Sequence, residues 1–396
     1  MANDADETDT LMDDVPDEEE GTSITEYDIT ASPNDFNVMT ISSYLDAGAI
    51  VIPPIQRFYT WDIKRASKFI ESLILGLPVP QIFLFEETRS RQLILDGQQR
   101  LLSIYFFTKM RFPRPGKRAE IRSIFSEHKN IPEEILQDEL LFSDFRITLP
   151  ESEDGRRSPL HNLNYKSLGE RKQQLDLRPI RIVIIKQNEP KDDNNSSIKE
   201  IYNRLNTGGV NLRPQEIRAN LYESNFYKVL YKFNKEPIWR RCIGKEGEDD
   251  FMRDVELLLR SFAMLINDPP YQPSMSRFLD KFSAKAKKDF SSSEIGVLEA
   301  IFAAFLNAIE GLPEGSFKSE GSGRFSIALF EAAFYGLCRP MWEARSACTI
   351  PSMEETKLKE LEGDSDFKKN LQEGTTKQAN VVNRLNVAKR IFSVNP

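Results

Sequence analysis

Leu93-Ile94-Leu95-Asp96-Gly97-Gln98-Gln99-Arg100-Leu101-Leu102 is the stretch that decides how the chain folds. A short apolar run stops at Asp96. Five polar or flexible residues follow, and apolar residues then return at helical spacing through Ile104, Phe106 and Phe107. The pattern predicts a strand feeding a turn that opens a helix. The first N–H groups of a helix lack intrahelical partners and carry partial positive charge, so such a junction is a natural anion site. Gly97 lets the backbone come close to a ligand, while two side-chain amides and a guanidinium crowd the first turn.

Outward from this point, Ala49-Ile50-Val51-Ile52 reads as a strand closed by Pro53-Pro54. It leads into Ile55-Gln56-Arg57-Phe58-Tyr59-Thr60-Trp61, a polar pair beside an aromatic cluster whose rings read equally well as core anchors. From Lys64, the positions Phe69, Ile70, Leu73, Ile74 and Leu77 follow helical spacing. Residues 81–85 and 92–95 form a hairpin whose second strand delivers Asp96. Structure is expected to begin near Asp35 with a short helix through Val38, Ile41 and Leu45.

Downstream, 121–125 and 131–136 read as helical, 145–149 as a strand, and 179–186 as the strongest strand signal, placed centrally in the sheet. A helix over 198–205 ends at Asn206-Thr207-Gly208-Gly209, and Pro214 lies in the first turn of the next. Beyond Tyr222 the pattern is helical, over 226–233, 251–266, 275–287, 294–309, 326–337 and 381–392. The expected fold class is α+β. An acidic disordered tail over 1–35 precedes a domain with a small mixed sheet over 36–222 and a helical domain over 223–396.

The 396 residues suffice for two cores, and 40% hydrophobic with 29% charged residues is an ordinary composition. No apolar run suggests a membrane span and the N-terminus lacks a targeting pattern, so a cytoplasmic protein is expected. Net charge is −8, yet no Lys or Arg precedes Arg57 while fourteen acidic residues do; beyond them 53 basic residues face 47 acidic. The body is therefore mildly basic and its head acidic. A solvated tail explains that head more simply than screening of a polyanion site.

Three cysteines, Cys242, Cys338 and Cys348, show no C-x-x-C spacing, and the histidines are His128 and His161 alone. Disulfide frameworks, thiolate zinc sites and His-based hydrolytic centres are thereby disfavoured. No G-x-x-x-x-G-K-[ST] segment is present, which removes the P-loop enzymes. Arg111, Arg114, Lys117, Arg118 and Arg122 form one basic cluster; Lys281, Lys285, Lys287 and Lys288 form another. Either could meet nucleic-acid phosphates, though solvated helix faces are the commoner explanation. Trp239, beside Arg240 and Arg241, could stack on a base or anchor the edge of a bundle.

The ordered set Ile52-Pro53-Pro54-Ile55-Gln56-Arg57, Trp61, Asp96-Gly97-Gln98-Gln99-Arg100-Leu101 and Leu205-Asn206-Thr207-Gly208-Gly209, with Leu212 and Glu216, resembles the N-terminal domain family of GmrSD-type modification-dependent restriction endonucleases. The resemblance covers roughly residues 38–222. It implies a ParB- and sulfiredoxin-like fold and handling of a nucleoside triphosphate, commonly GTP, with Mg2+ as its companion, in restriction of modified phage DNA. Carried over, Asp96, Gln98, Gln99 and Arg100 would be catalytic. Gln56, Arg57, Gly97, Arg100, Asn206, Gly208, Gly209 and Glu216 would bind nucleotide. Restriction proteins of this kind usually add an HNH-like nuclease domain, but no histidine follows residue 222. The implied partners are a nucleotide, DNA and a separate nuclease subunit.

Two other readings stay open from the residues: a non-catalytic DNA-binding adaptor that uses the basic body, and a nuclease whose paired carboxylates would be Asp96 and Glu216. A purely structural reading makes Asp96 the cap of the helix and Arg100 half of a surface ion pair.

Overall fold

A computed structural model describes residues 29–51, 59–118, 120, 121, 124, 130–151, 154–188, 201, 204, 205, 213–249, 251–319, 323–372 and 374–392. They fall into two compact units, Thr25–Leu212 and Arg213–Pro396. The first is a mixed α+β unit. The second is helical apart from one isolated bridge among its described residues, Lys318 to Phe325.

The sheet of the first unit runs β1 (Ile29–Asn37), β7 (Pro179–Gln187), β3 (Ile82–Thr88), β4 (Arg91–Asp96), β2 (Ile50–Val51). β1 is antiparallel to β7 and β3 to β4, whereas β7 with β3 and β2 with β4 are parallel pairs. α1 (Val38–Asp46), α2 (Ile63–Leu75) and α3 (Gln98–Thr108) contribute Ile41, Ile70, Leu101 and Phe106 to one core with Ile82, Leu84, Ile94 and Ile182. α2 starts where the Asp62 side chain accepts from Arg65 N and stops at left-handed Gly76, the two signals that bound a helix.

Three local expectations change. Residues 29–35, assigned to the disordered tail, form most of β1. They pair with β7 although their own sequence lacks apolar alternation, and Pro33 is tolerated because the strand is an edge. β7 accordingly lies second from that edge, between β1 and β3, and not at the centre of the sheet.

The expected strand over 145–149 is extended but joins no ladder. Phe145, Ile147 and Leu149 are buried alternately, yet Thr148 N bonds to Ser67 Oγ at 2.8 Å and Leu149 N to His161 Nδ1 at 3.2 Å. The strand nearby is instead β6 (Phe142–Asp144), paired with β5 (Arg111–Pro113). A period of two reports alternating burial, and loops satisfied by side chains can show it too. Of the helices expected at 121–125 and 198–205, all but a few residues lie outside the described set; at 131–136 the helix is the single turn α4 (Glu133–Leu136). α5 (Glu170–Asp176) completes the unit.

In the second unit, α6 (Pro214–Leu221), α7 (Asn225–Asn234), α8 (Pro237–Ile243), α9 (Arg253–Ile266), α10 (Met275–Asp289), α11 (Ser292–Ile309), α12 (Ile327–Glu343), α13 (Glu355–Gly363), α14 (Ser365–Gln372) and α15 (Gln378–Phe392) follow in order. Phe233, Phe262, Phe302, Phe305 and Phe334 meet at its centre, with ring centroids 4.5 to 6.4 Å apart. The sequence suggests no membrane span, yet α11 is 18 residues long and apolar enough by composition to cross a membrane; eight of its side chains are buried within the protein. α12 continues through Pro340, past the expected end at Leu337.

α12 and α15 approach closely at Gly336, where an added Cβ would stand 2.8 Å from the Ala388 carbonyl oxygen. Gly336→Ala is expected to destabilise the protein by about 1–3 kcal/mol, read from urea unfolding, because the obstacle is backbone and cannot rotate away. Cys242 and Cys338 are buried, and burial pushes the Cys242 thiol up to about 12; Cys348 is exposed. A thiol reagent at neutral pH should therefore label Cys348 quickly in the native protein and all three cysteines only after denaturation.

Candidate functional site

The strand-to-helix junction forms at the expected place. β4 ends at Asp96 beside a register shift between Phe83 and Leu84 of β3, an irregularity of the kind that re-aims a side chain at the rim of a sheet. Gly97 then takes φ +99°, ψ 11°, left-handed, and becomes the N-cap of α3 without any side-chain cap bond. Its carbonyl accepts the first helical bond, from Leu101 N at 3.0 Å. A Cβ at this position would stand 2.8 Å from Ile82 Cγ1, so glycine is required for both conformation and space.

α3 has eight of its eleven residues buried and is fixed on all sides. Four polar side chains gather at its start, where Gln98 is buried and Asp96, Gln99 and Arg100 are partly exposed. Asp96 does not cap the helix. Its Oδ2 accepts from Arg100 Nη2 at 2.6 Å, in a pair whose carboxylate is 40% exposed and whose guanidinium is 13% exposed. This is half of the purely structural reading: the ion pair is present and the cap is not.

Gln98 is 5% exposed, and among the described residues its Nε2 has no hydrogen-bond partner; Arg100 Nε, also buried, has none among them either. Buried donors normally find acceptors, and an orphan costs on the order of 1–3 kcal/mol. Two on one helical turn, beside backbone N–H groups without a side-chain cap, make a donor-rich helix start suited to an anion.

Gln99 behaves differently. Its Oε1 accepts from Thr60 N at 2.8 Å and from Trp61 N at 3.2 Å. The opposite edge of the same dipeptide is held by Arg118, whose Nη1 donates to Thr60 O at 3.0 Å and Nη2 to Trp61 O at 3.1 Å. Tyr59 Oη lies 2.8 Å from Ser103 Oγ, which also donates to Gln99 O at 2.7 Å. Burial, opposed by the Ser103 hydrogen bond, holds the Tyr59 phenol above its usual range, so it stays neutral.

Of the remaining expected site residues, Gln56, Arg57, Asn206, Gly208 and Gly209 lie outside the described set. Glu216 belongs to the helical unit, where it is fully buried and its Oε2 accepts from Arg213 N at 2.7 Å, closing the start of α6. Sequence reasoning missed Ser103 and placed Arg118 in a basic cluster; the contacts of Ser103 with Tyr59 and of Arg118 with residues 60 and 61 span 44 or more positions and leave no local signal. Most of that cluster is engaged internally. Arg111 is buried against Asp144, Glu139 and the Leu136 carbonyl, and Arg114 donates to Glu139 O. Trp239 is fully buried with Nε1 donating to Asn234 Oδ1 at 3.0 Å, so it is a bundle anchor and not a stacking platform. Among the described residues no group of three His, Cys, Asp or Glu could hold a metal ion.

Gly97→Ala is expected to cost about 2–4 kcal/mol, combining left-handed strain with the clash against Ile82, and to lower the midpoint of thermal unfolding.

Residues 40–223 match the family model of the GmrSD restriction endonuclease, N-terminal domain. The resemblance carried by residues 96–101 and their companions holds for this stretch, and it points to a role in a restriction or anti-phage system. No curated protein matches the chain significantly.

Proposed function

From a GmrSD-type N-terminal domain bearing this junction, we propose that the chain is a nucleotide-binding component of a restriction or anti-phage system, with residues 96–100 receiving the phosphates. The observation that carries the proposal is the pair of buried, unpartnered donors, Gln98 Nε2 and Arg100 Nε, beside the uncapped start of α3. A triphosphate supplies acceptor oxygens to all of these at once.

Asp96 suits a companion role. Mg2+ is commonly held by one or two carboxylates together with substrate phosphates, so one exposed carboxylate at the junction fits an ion that arrives with the nucleotide. When bound, the ion would supply neutralisation of phosphate charge. The chain's own contribution is to place Arg100 and Gln98 before the ligand arrives, which is the protein's main task in phosphoryl chemistry. An incoming phosphate would compete with Asp96 for Arg100, loosening the 2.6 Å pair.

Two alternatives have less support. A DNA-binding adaptor would need free basic side chains, and Arg111, Arg114 and Arg118 are committed to acceptors within the fold. A nuclease using Asp96 with Glu216 would need an accessible second carboxylate, and Glu216 is fully buried as a helix-start acceptor.

Calorimetric titration with GTP and ATP in Mg2+ tests the proposal. Wild type should bind GTP. Arg100→Ala should weaken binding by about 10- to 100-fold, the scale of a lost charge-assisted hydrogen bond. Asp96→Ala should abolish the benefit of Mg2+ while leaving binding in EDTA intact. Equal behaviour of wild type and both variants would refute it, and phosphate release measured on the same samples separates binding from turnover.

A further inference from the structure

The two consecutive glutamines of residues 96–100 are identical in type and adjacent in sequence, yet the fold uses them in opposite ways. We infer that Gln99 is a positioning residue and works with Arg118 as a clamp on the main chain of residues 60 and 61, leaving Gln98 to meet the ligand. The inference rests on the nucleotide reading only for what the clamp serves.

The geometry of the clamp is complete on both edges of one dipeptide. Both N–H groups converge on Gln99 Oε1, at 2.8 and 3.2 Å. Both carbonyls are taken by one guanidinium, at 3.0 and 3.1 Å. A planar two-pronged donor suits this because its two nitrogens reach adjacent acceptors without bending, which an ammonium cannot do. The dipeptide is tied further on each side: Tyr59 reaches Ser103 on α3, and Asp62 caps α2 through Arg65 N at 2.7 Å. Tyr59 also packs edge-on against Phe106 and Trp61 against Phe69. Residues 59–62 thus bridge the starts of two helices, and in the chain only Phe58 separates them from Gln56 and Arg57.

The contacts of Gln99 and Arg118 to residues 60 and 61 are all to backbone, and in the two made by Gln99 its Oε1 is the acceptor. Glutamate accepts at the same position and should keep the clamp; alanine cannot. A glutamine that donated to a phosphate would give the reverse order, with the added negative charge of glutamate more damaging than alanine.

Hydrogen–deuterium exchange of the full-length protein without nucleotide, followed in peptides containing residues 60 and 61, reads the clamp directly. Gln99→Ala and Arg118→Ala should each speed exchange there by about tenfold, the scale set by loss of two peptide hydrogen bonds. Gln99→Glu and Gln98→Ala should stay within about twofold of wild type, the control for folding. GTP titration on the same four variants should show Gln98→Ala weakened by about tenfold with exchange unaltered. Wild-type exchange in Gln99→Ala, or equal acceleration in Gln99→Glu, would overturn the inference. Faster exchange in Gln99→Ala, with no GTP binding by wild type, would leave the clamp standing and remove the nucleotide reading alone.

Discussion

The conformation of Gly97 is the constraint on which the candidate site depends. At φ +99°, with Ile82 against the position a side chain would occupy, the chain turns from β4 into α3 within one residue. A slower turn would need side-chain capping, and the cap would occupy the N–H groups that the present arrangement leaves open. The turn is rigid because both flanks are buried. Leu93, Ile94 and Leu95 lie inside the sheet, and α3 is enclosed almost throughout its length. Polar groups are thereby presented on a stiff mount, and stiffness is what lets orphaned donors persist without collapsing onto internal acceptors.

Much of this was legible in the sequence because its signals are local. The apolar run to Leu95, the glycine and the resumption of helical spacing specify strand, turn and helix together, and the parallel partner β2 is announced by its own apolar residues. What stayed hidden depends on distant partners. β1 is a strand because β7 offers it a ladder, although its residues Pro33, Asn34 and Asp35 argue locally for a turn. The segment over 145–149 mimics a strand because burial alternates along it, while its backbone bonds are split among Met110, Asn162 and Leu163 main chain and the Ser67 and His161 side chains. At the site, a sequence can show two glutamines, but it cannot show that one faces the backbone of residues 60 and 61, thirty-eight positions upstream or more.

Charge in the helical unit illustrates the same limit. Arg218, almost wholly buried, pairs with Asp280 at 2.9 Å and Glu256 at 3.0 Å, and Arg260 pairs with Glu331 inside the bundle. Arg240 meets Asp254 at 2.7 Å. Such pairs are costly to desolvate and strongly destabilising when one partner is removed, so these arginines are structural commitments. A count of basic residues registers them as surface charge available to a polyanion. The number of basic residues beyond residue 56 consequently overstates how many basic side chains the body presents to solvent, although the acidic partners withdrawn with them leave the net balance mildly basic.

Recognition of main chain by Gln99 and Arg118 has a consequence for how the sequence is free to vary. A clamp that grips only peptide groups is indifferent to the side chains it spans, so position 60, whose threonine is exposed, can drift without loosening it. The gripping residues have no such latitude, because each serves two acceptors or two donors at once. Constraint and visible chemistry are thus displaced from each other: the arm can change its face toward solvent while its path past α3 stays where two distant side chains set it.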